Sequence, residues 1–323
     1  MAKKKGEPGF DALYKVRPLL NSLRERFQNI YYPEKTVTVN EGICHYSVRV
    51  GFKVYMANKP NKYGMKLYIL AESRTGYIWN FEVYHGRDET IDNSASSVMK
   101  RLANKFLGKG HIVYVDRFYT SVQLAEELTD DNTGLVGTMM KNRKGLPKLL
   151  KDAKLKKGEQ MFRHKGNVLP LRWKGKRDFW MISTRHTVTM QSARTGRAME
   201  KLKRAAVVDY NKNKAGVDLF DQRLLYWALD HKTVKWWRKL AVHCIIMAAS
   251  KGCILHNIIK KKKLATSQFI QEVCAALVLS AGDSTESFPH GSSKLARLSE
   301  KHFPNHVNIS EGKKKGQRSS NQN

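Results

Sequence analysis

Short apolar runs, each ended by a carboxylate or a turn and separated by helical segments, constrain this chain more than any other feature. In "GHIVYVDRFYTS", residues 110–121, Ile112 to Val115 form a four-residue run that stops abruptly at Asp116. Four residues suit a buried strand and are too few for a helix. "TSVQLAEELTDDN" follows with a helical period and Thr120 or Ser121 as its cap, and "GLVGTMM" supplies the next strand. Upstream, Leu67 to Ala71 predict a central strand ended by Glu72, "SRTG" a turn, and Tyr77 to Tyr84 the antiparallel return strand. "SASSVMKRLANKFL" predicts a helix stopped by Gly108 and Gly110. The order strand, strand, helix, strand, helix, strand predicts an α/β fold, a mixed sheet flanked by helices.

The flanks divide the rest. Leu19, Leu20, Leu23 and Phe27 recur at helical spacing, so residues 1–33 are a helical region. "KTVTVNEGICHYSV" is extended and "NKPNKYG" is a basic, turn-rich loop; residues 34–140 form the first part of the core. From 141 to 204 the chain becomes rich in Lys and Arg with short β-like pieces broken by Gly and Pro, which predicts an inserted β-rich subdomain. Residues 205–280 return to helix, filled by Trp227, Trp236, Trp237, Leu240, Cys244, Met247 and Ile254. The polar basic tail, 281–323, is read as disordered.

Charge narrows the partners. Lys plus Arg is 59 against 28 Asp plus Glu, a formal net charge of +31. Solubility does not require so large an excess, and a polyanion, most simply nucleic acid, accounts for it. A membrane surface is the weaker alternative, since no basic amphipathic anchor stands out, and no run of about 18 apolar residues predicts a span. "MAKKKGEPGF" lacks the apolar stretch of a secretory signal. The four cysteines show no CxxC spacing, so neither a disulfide framework nor a zinc site is expected, and a reducing, intracellular setting is. Basic clusters at Lys3 to Lys5, Lys260 to Lys263 and Lys313 to Lys315 suit nuclear entry. No phosphate-cradling glycine loop, HExxH pair or nucleophile elbow is present, so no small-molecule substrate is called for.

The acidic residues stand out by position. Glu72 and Asp116 end predicted strands, and Asp218 and Asp221 in "GVDLFDQ" lie three apart near a helix start, where both project from one face. Carboxylates gathered from distant segments can hold Mg²⁺ or Mn²⁺ for phosphoryl transfer, while turns and helix caps use the same residues for purely structural ends. In "LDHKTVKWWRKL" the tryptophans suit a helix core, and Lys232, Lys235, Arg238 and Lys239 suit phosphate contacts.

"NKPNKYGMKLYILAESRTGYIWNFEVYHG", "YVDRFYTSVQLAEEL", "GTMMKNRKGLP" and "VVDYNKNKAGVDLFDQ" resemble, in order and spacing, the core of piggyBac-like transposases over roughly residues 15–260. The resemblance implies a ribonuclease-H-like fold interrupted by a β-rich insertion. It implies cut-and-paste chemistry on double-stranded DNA at TTAA targets, in which two divalent metals activate water and then a 3′-hydroxyl. By motif, Asp116 and Asp218 would be metal ligands, Asp221 an additional catalytic carboxylate, and Glu72 would stand where many members carry the first catalytic Asp. Its extra methylene moves that carboxylate by about a bond length. Lys141, Arg143 and Lys144 in the "KNRKGLP" block would contact DNA. The family works as dimers, so a homodimer is implied. Asn40 in "VTVNEG" stands where the family usually shows Asp and is not read as catalytic. The family's acidic N-terminal region and Cys-rich, zinc-binding C-terminal domain have no counterpart, so the expectation is a truncated or domesticated copy. Such a copy binds DNA with or without retained Mg²⁺-dependent strand transfer.

Overall fold

The structure, a computed structural model, describes residues 7–57, 59, 61–86, 92–195, 199–226, 233–261 and 263–283. Trp227, Lys232, Lys3 to Lys5 and the tail from 284 lie outside these residues.

Helix α1 (Arg17–Ile30) opens with Pro18, whose fixed φ suits a first turn, and turns Leu20 and Phe27 inward. Strands β1 (Thr36–His45), β2 (Lys53–Tyr55), β3 (Tyr63–Glu72) and β4 (Ile78–Val83) follow, then α2 (Ala95–Ala103), β5 (Ile112–Val115), α3 (Val122–Asp130) and β6 (Gly134–Thr138). A short α4 (Lys148–Asp152) leads into β7 (Gln160–Phe162), β8 (Leu169–Lys174) and β9 (Asp178–Ser183). The hairpin β10 (Met190–Thr195) and β11 (Met199–Arg204) precedes α5 (Ala205–Asn213), α6 (Gly216–Tyr226), α7 (Trp236–Lys260) and α8 (Thr266–Asp283). Residues up to Gln271 make one compact unit, and α8 from Glu272 onward belongs to a second.

Nine strands form one sheet in the order β2-β3-β1-β5-β6-β9-β8-β7, with β4 also paired to β3. Strand β1 is the pivot: antiparallel to β3 and parallel to β5. It therefore sits between the two runs that the sequence marks as central. The segment 141–204 does not stand apart from the sheet. Its β9 pairs antiparallel with β6, and β8 and β7 extend the same sheet outward, while β10 and β11 form a separate two-stranded ribbon.

Both faces of the central strands are covered, which explains their nearly continuous apolar composition. In β3 the alternation sends Leu67, Ile69 and Ala71 into a core with α1, α6 and α7, and Tyr68 and Leu70 into a core with α2 and α3. Helix α5 packs Ala206, Val207 and Tyr210 against Tyr114, Val136 and Met181 on the α6 side of β5 and β6. Helix α7, contrary to the sequence reading, is long and apolar enough by composition to cross a membrane. Leu240, Cys244, Met247, Cys253 and Ile254 are buried, the first three in the core with α1 and α6 and Ile254 in the α2–α3 core. Trp236 and Trp237 pack at the edge of the α1–α6–α7 core, Trp236 edge-on to Phe52 at 5.2 Å.

Candidate functional site

Asp116 follows β5 directly, where β5 leaves the sheet beside the middle of β1. Strand register pairs Val39 with Val115, so the next residue on each strand, Asn40 and Asp116, stand level with one another. Side chains at one level of parallel neighbours point to the same face. That face is shared with Thr38, whose hydroxyl donates to the Asn213 carbonyl at 2.8 Å, and with Tyr114, buried beneath α5. The sharp exit after Asp116 is built locally. Asp116 Oδ1 accepts from the Phe118 N–H at 2.7 Å, its carbonyl accepts from the Thr120 hydroxyl at 2.7 Å, and Ser121 caps α3. One Asp116 carboxylate oxygen is thus spent on the turn.

Helix α6 brings the other two aspartates to the same face. Its first turn presses on the end of β3: a Cβ added at Gly216 would lie 2.7 Å from the Glu72 carbonyl oxygen. One turn along, Asp221 Oδ1 comes within 3.4 Å of the place a Cβ would take at Gly42, so two glycines let the helix lie close on the sheet. Asp218, in the first turn, is exposed and favoured there by the helix dipole. Tyr210 of α5 lies within electrostatic reach of both Asp116 and Asp218. Burial raises its phenol above the usual range, and the negative charges of Asp116 and Asp218 both add to the shift. Asp221 is also raised, by burial first, with Asp218 adding and Lys59 opposing. Lys59 Nζ sits 2.8 Å from Asp221 Oδ2.

Glu72 does not join them. Because β3 runs antiparallel to β1, Glu72 pairs with Val37, near the beginning of β1, three residues from Asn40. At about 3.3 Å per residue, that is roughly 10 Å along the sheet. Its side chain also belongs to the opposite face, with Tyr68 and Leu70. There the fully buried carboxylate accepts from the Tyr31 hydroxyl at 2.8 Å, the Glu34 N–H at 2.9 Å and the Thr75 hydroxyl. The expectation that Glu72 completes a cluster with Asp116 and Asp218 is corrected by this geometry: the end of an antiparallel strand lies at the wrong edge.

Asn40 and Glu41 occupy the edge instead. Asn40 is half-buried, and its Oδ1 accepts from the Glu41 N–H at 2.9 Å. Glu41 points to the other face, paired with Lys66 at 3.3 Å. Burial raises its carboxyl, Lys66 pulls it back, and the Asp116 charge raises it further. Tyr119 lies between: its burial, with the charges of Glu41 and Asp116, holds the phenol well above its ordinary range. Lys66 also stands 4.5 Å above the Tyr68 ring and 4.9 Å above Phe118. The signal that locates this pair was present in "VTVNEG", a β-branched run ending in polar residues, but only strand pairing shows which edge it reaches.

Among the described residues no three His, Cys, Asp or Glu side chains form a metal-binding group. Asp116 and Asp218 suit one Mg²⁺ or Mn²⁺ that keeps most of its waters, since both are oxygen ligands, one half-buried and one exposed, and neither is ion-paired among the described residues. A two-metal cage does not fit this arrangement: Asp221 and Glu41 carry lysines, residue 40 is an amide, and Glu72 is elsewhere.

The basic residues fall on separate surfaces. Lys141 and Lys144 are exposed in the loop after β6. Arg143 is half-buried and donates to the Arg117 carbonyl at 2.9 Å and to the Phe118 carbonyl, so it braces the turn that carries Asp116. Lys235 and Arg238 are exposed at the start of α7, Arg238 lying 5.2 Å from the Trp237 ring, and Lys239 is half-buried.

A family profile described as Transposase IS4 matches residues 1–249. The human PiggyBac transposable element-derived protein 3 is 24% identical over 332 aligned positions, covering 94% of this chain and 54% of the relative. The human PiggyBac transposable element-derived protein 2 is 24% identical over 269 positions, covering 77% and 45%. The chain thus spans about half the length of these relatives. Among solved structures, the piggyBac transposase synaptic complex with hairpin DNA matches with a TM-score of 0.76 at 24% identity, over 92% of this chain and 63% of that one. The mixed sheet with its flanking helices is accordingly the ribonuclease-H-like fold, and this chain belongs to the Transposase IS4 family, of the piggyBac type.

Proposed function

We propose that the chain is a piggyBac transposase-derived protein that binds double-stranded DNA through its basic surfaces and holds one hydrated divalent cation at Asp116 and Asp218. The observation that carries this reading is the placement of Asp116 level with Asn40 on the sheet face that α6 covers, in a chain of net charge +31. The related synaptic complex contains DNA, which supports the same partner. The cation would supply electrostatic stabilisation of a phosphate oxygen. The residues of the chain do the rest: Arg143 braces the Asp116 turn, Tyr210 lies within electrostatic reach of both carboxylates, and Lys141, Lys144, Lys235 and Arg238 contact backbone phosphates. Nuclear localisation is part of this reading, supported by the lysine clusters, and a homodimer would engage two duplexes.

Strand cleavage and transfer at TTAA-type sites is the second reading, favoured by four carboxylates, Glu41, Asp116, Asp218 and Asp221, near one edge. It requires a second cation to balance attacking and leaving oxygens, and the free chain offers no cage for it. Fluorescence anisotropy on labelled duplexes across a salt series tests the binding. A steep slope of log affinity against log salt, equivalent to on the order of six phosphates, is expected. A flat slope would refute DNA binding. Mg²⁺- or Mn²⁺-dependent nicking of supercoiled DNA that disappears in Asp116→Asn would establish the second reading instead.

A further inference from the structure

Helix α1 carries Arg17 and Arg24 seven residues apart, two turns along one face, with Leu20 between them. All three line a cavity of about 340 Å³ that Glu82 and Tyr84 border from the end of β4 and Arg101 from α2. Three guanidinium groups therefore share one space, and they are not equally matched. Arg17 holds Asp11 through two bonds of 2.7 Å. Arg101 donates to Glu82 Oε2 at 3.2 and 3.1 Å. Arg24 is half-buried, and its Nε donates at 3.2 Å to Oδ1 of Asn80, a neutral amide; it makes no ion pair among the described residues. Burial works against its charge, Glu82 offsets part of this, and the like charge of Arg17 adds to it. One positive charge is thus left over, partly desolvated, on a planar fork shaped for two oxygens of an anion. A second cavity of about 420 Å³ shares Tyr68 and Tyr84 with the first and is walled further by Tyr55 and Met56. It lies where the sheet edge passes from β4 to β2: Val83 pairs with Leu67 and Lys53 with Met65, with Lys66 between. Lys66, the cation of this second space, is already held by Glu41. One end of the joined space is cationic and unmatched, and the other is aromatic.

We propose that the two adjoining cavities form a binding site for a phosphate monoester with an aromatic body, of mononucleotide size: the Arg24 fork takes the phosphate, Arg17 flanks it, and Tyr68 and Tyr84 hold the ring. The volumes fall in the range of small-molecule sites. A monoester carries close to two negative charges at neutral pH and three free oxygens, so it can take the fork of Arg24 and still face Arg17. The same group occurs on a free nucleotide and at the 5′ end of a DNA strand. The site does not involve the Asp116 edge and needs no cation there.

Calorimetric titration of AMP and of adenosine into the full chain tests the site in the wild type, Arg24→Met, Arg24→Lys and Lys176→Met, the last an exposed lysine in the β8–β9 turn that controls for net charge. Thermal melts confirm that each is folded, and Arg24→Lys decides the matter if Arg24→Met is not. AMP is expected to bind the wild type at least tenfold more tightly than adenosine. Arg24→Met should lose at least tenfold in AMP affinity, and Arg24→Lys several-fold, since a point charge replaces the fork. Lys176→Met should match the wild type. Competition then separates the sources. Displacement of AMP by a 5′-phosphorylated trinucleotide, and not by its 5′-hydroxyl form, identifies a strand end as a ligand; displacement by neither leaves the free nucleotide. Equal displacement by both forms shows a surface for backbone phosphates and overturns the proposal. So do adenosine binding as tight as that of AMP, AMP affinity unchanged in folded Arg24 variants, or no binding of AMP at all.

Discussion

Replacing Lys251 with Met should stabilise the protein, although it deletes a positive charge from the middle of a helix. Lys251 lies on α7, is 2% exposed, and its Nζ has no hydrogen-bond partner among the described residues. The amine sits 2.7 Å from the centroid of the Phe27 ring and 4.1 Å from that of Tyr77. Burial pushes its pKa well below the ordinary lysine range. Two limits bound the cost. If the amine is neutral in the folded state at pH 7, discharging it from an unfolded value near 10.4 costs up to about 4.6 kcal/mol. If it keeps its proton, the two rings return about 2 kcal/mol against a desolvation penalty of several. Either way, methionine of similar length, which buries without a polar head, should gain on the order of 2–4 kcal/mol. The pH dependence separates the limits. For a base with a depressed folded pKa, the unfolded state holds the extra proton between the two pKa values. Stability therefore rises with pH in that window, by about 1.4 kcal/mol per unit, and levels off above the unfolded pKa. Urea unfolding of wild type and Lys251→Met at pH 7, 8 and 9 measures this. The stability advantage of the variant should shrink as pH rises, and subtracting the two curves cancels the buried tyrosines and cysteines, which titrate in both. A variant less stable than the wild type would refute the reasoning, while an advantage independent of pH would select the second limit, in which the buried amine keeps its proton.

Other expectations are equally direct. Glu72→Gln keeps the volume but replaces an acceptor of three hydrogen bonds with an amide; it should cost roughly 2–3 kcal/mol in urea unfolding and leave Mn²⁺ affinity unchanged, whereas loss of Mn²⁺ binding would restore Glu72 to the site. Gly64→Ala would set a Cβ 2.2 Å from the Cys44 carbonyl oxygen across the β1–β3 ladder, so a loss of about 3 kcal/mol is expected, and a neutral result would mean that the strands are not in this register. Asp209 is buried against its own charge, but bonds from His186 and Tyr114 and the charges of His186 and Lys212 hold its carboxyl below the usual range. Its contribution is present above the unfolded pKa and is lost as pH falls through the lower folded value, so the gap in melting temperature between wild type and Asp209→Asn should close below about pH 4; a gap constant down to pH 2 would contradict the assignment.

Local patterns were sufficient for most elements because the apolar runs of this chain are short, bounded and well capped. Ser94 and Ser121 cap α2 and α3 with their side chains, as a serine ahead of a periodic run predicts. The predicted insertion proved less separable. "VLPLRWKG" and "DFWMIS" carry short β-like runs, but a pattern that fixes a strand does not say which edge it joins, and β9 joined β6. Helix α7 illustrates the converse, since its composition alone admits a membrane span and its packing against β1, α1 and α6 supplies the reason for the apolar residues.

Register and packing set Asp116 and Asp221 on one face of the sheet and Glu72 on the other, and the reason is geometric. A strand's carboxyl end has an address only relative to its neighbours. "LYILAE" and "IVYVD" look alike as sequences, each an apolar run closed by an acid, and a parallel pairing would have put both acids at one edge. Strand β3 instead pairs antiparallel with β1, while β1 and β6 flank β5 in parallel, so the β1 residue that stands level with Asp116 is Asn40. Asn40→Asp is the substitution that separates these positions. A carboxylate at residue 40 would stand level with Asp116, on the face of Asp218, and supply the third oxygen ligand that the free chain lacks. Mn²⁺ affinity should then rise at least tenfold, about 1.4 kcal/mol, while protein stability falls as like charges accumulate at the edge unless Mn²⁺ is present. If Asn40→Asp leaves Mn²⁺ binding unchanged, the edge defined by β1 and β5 is not where the cation sits, and the register argument loses its functional consequence.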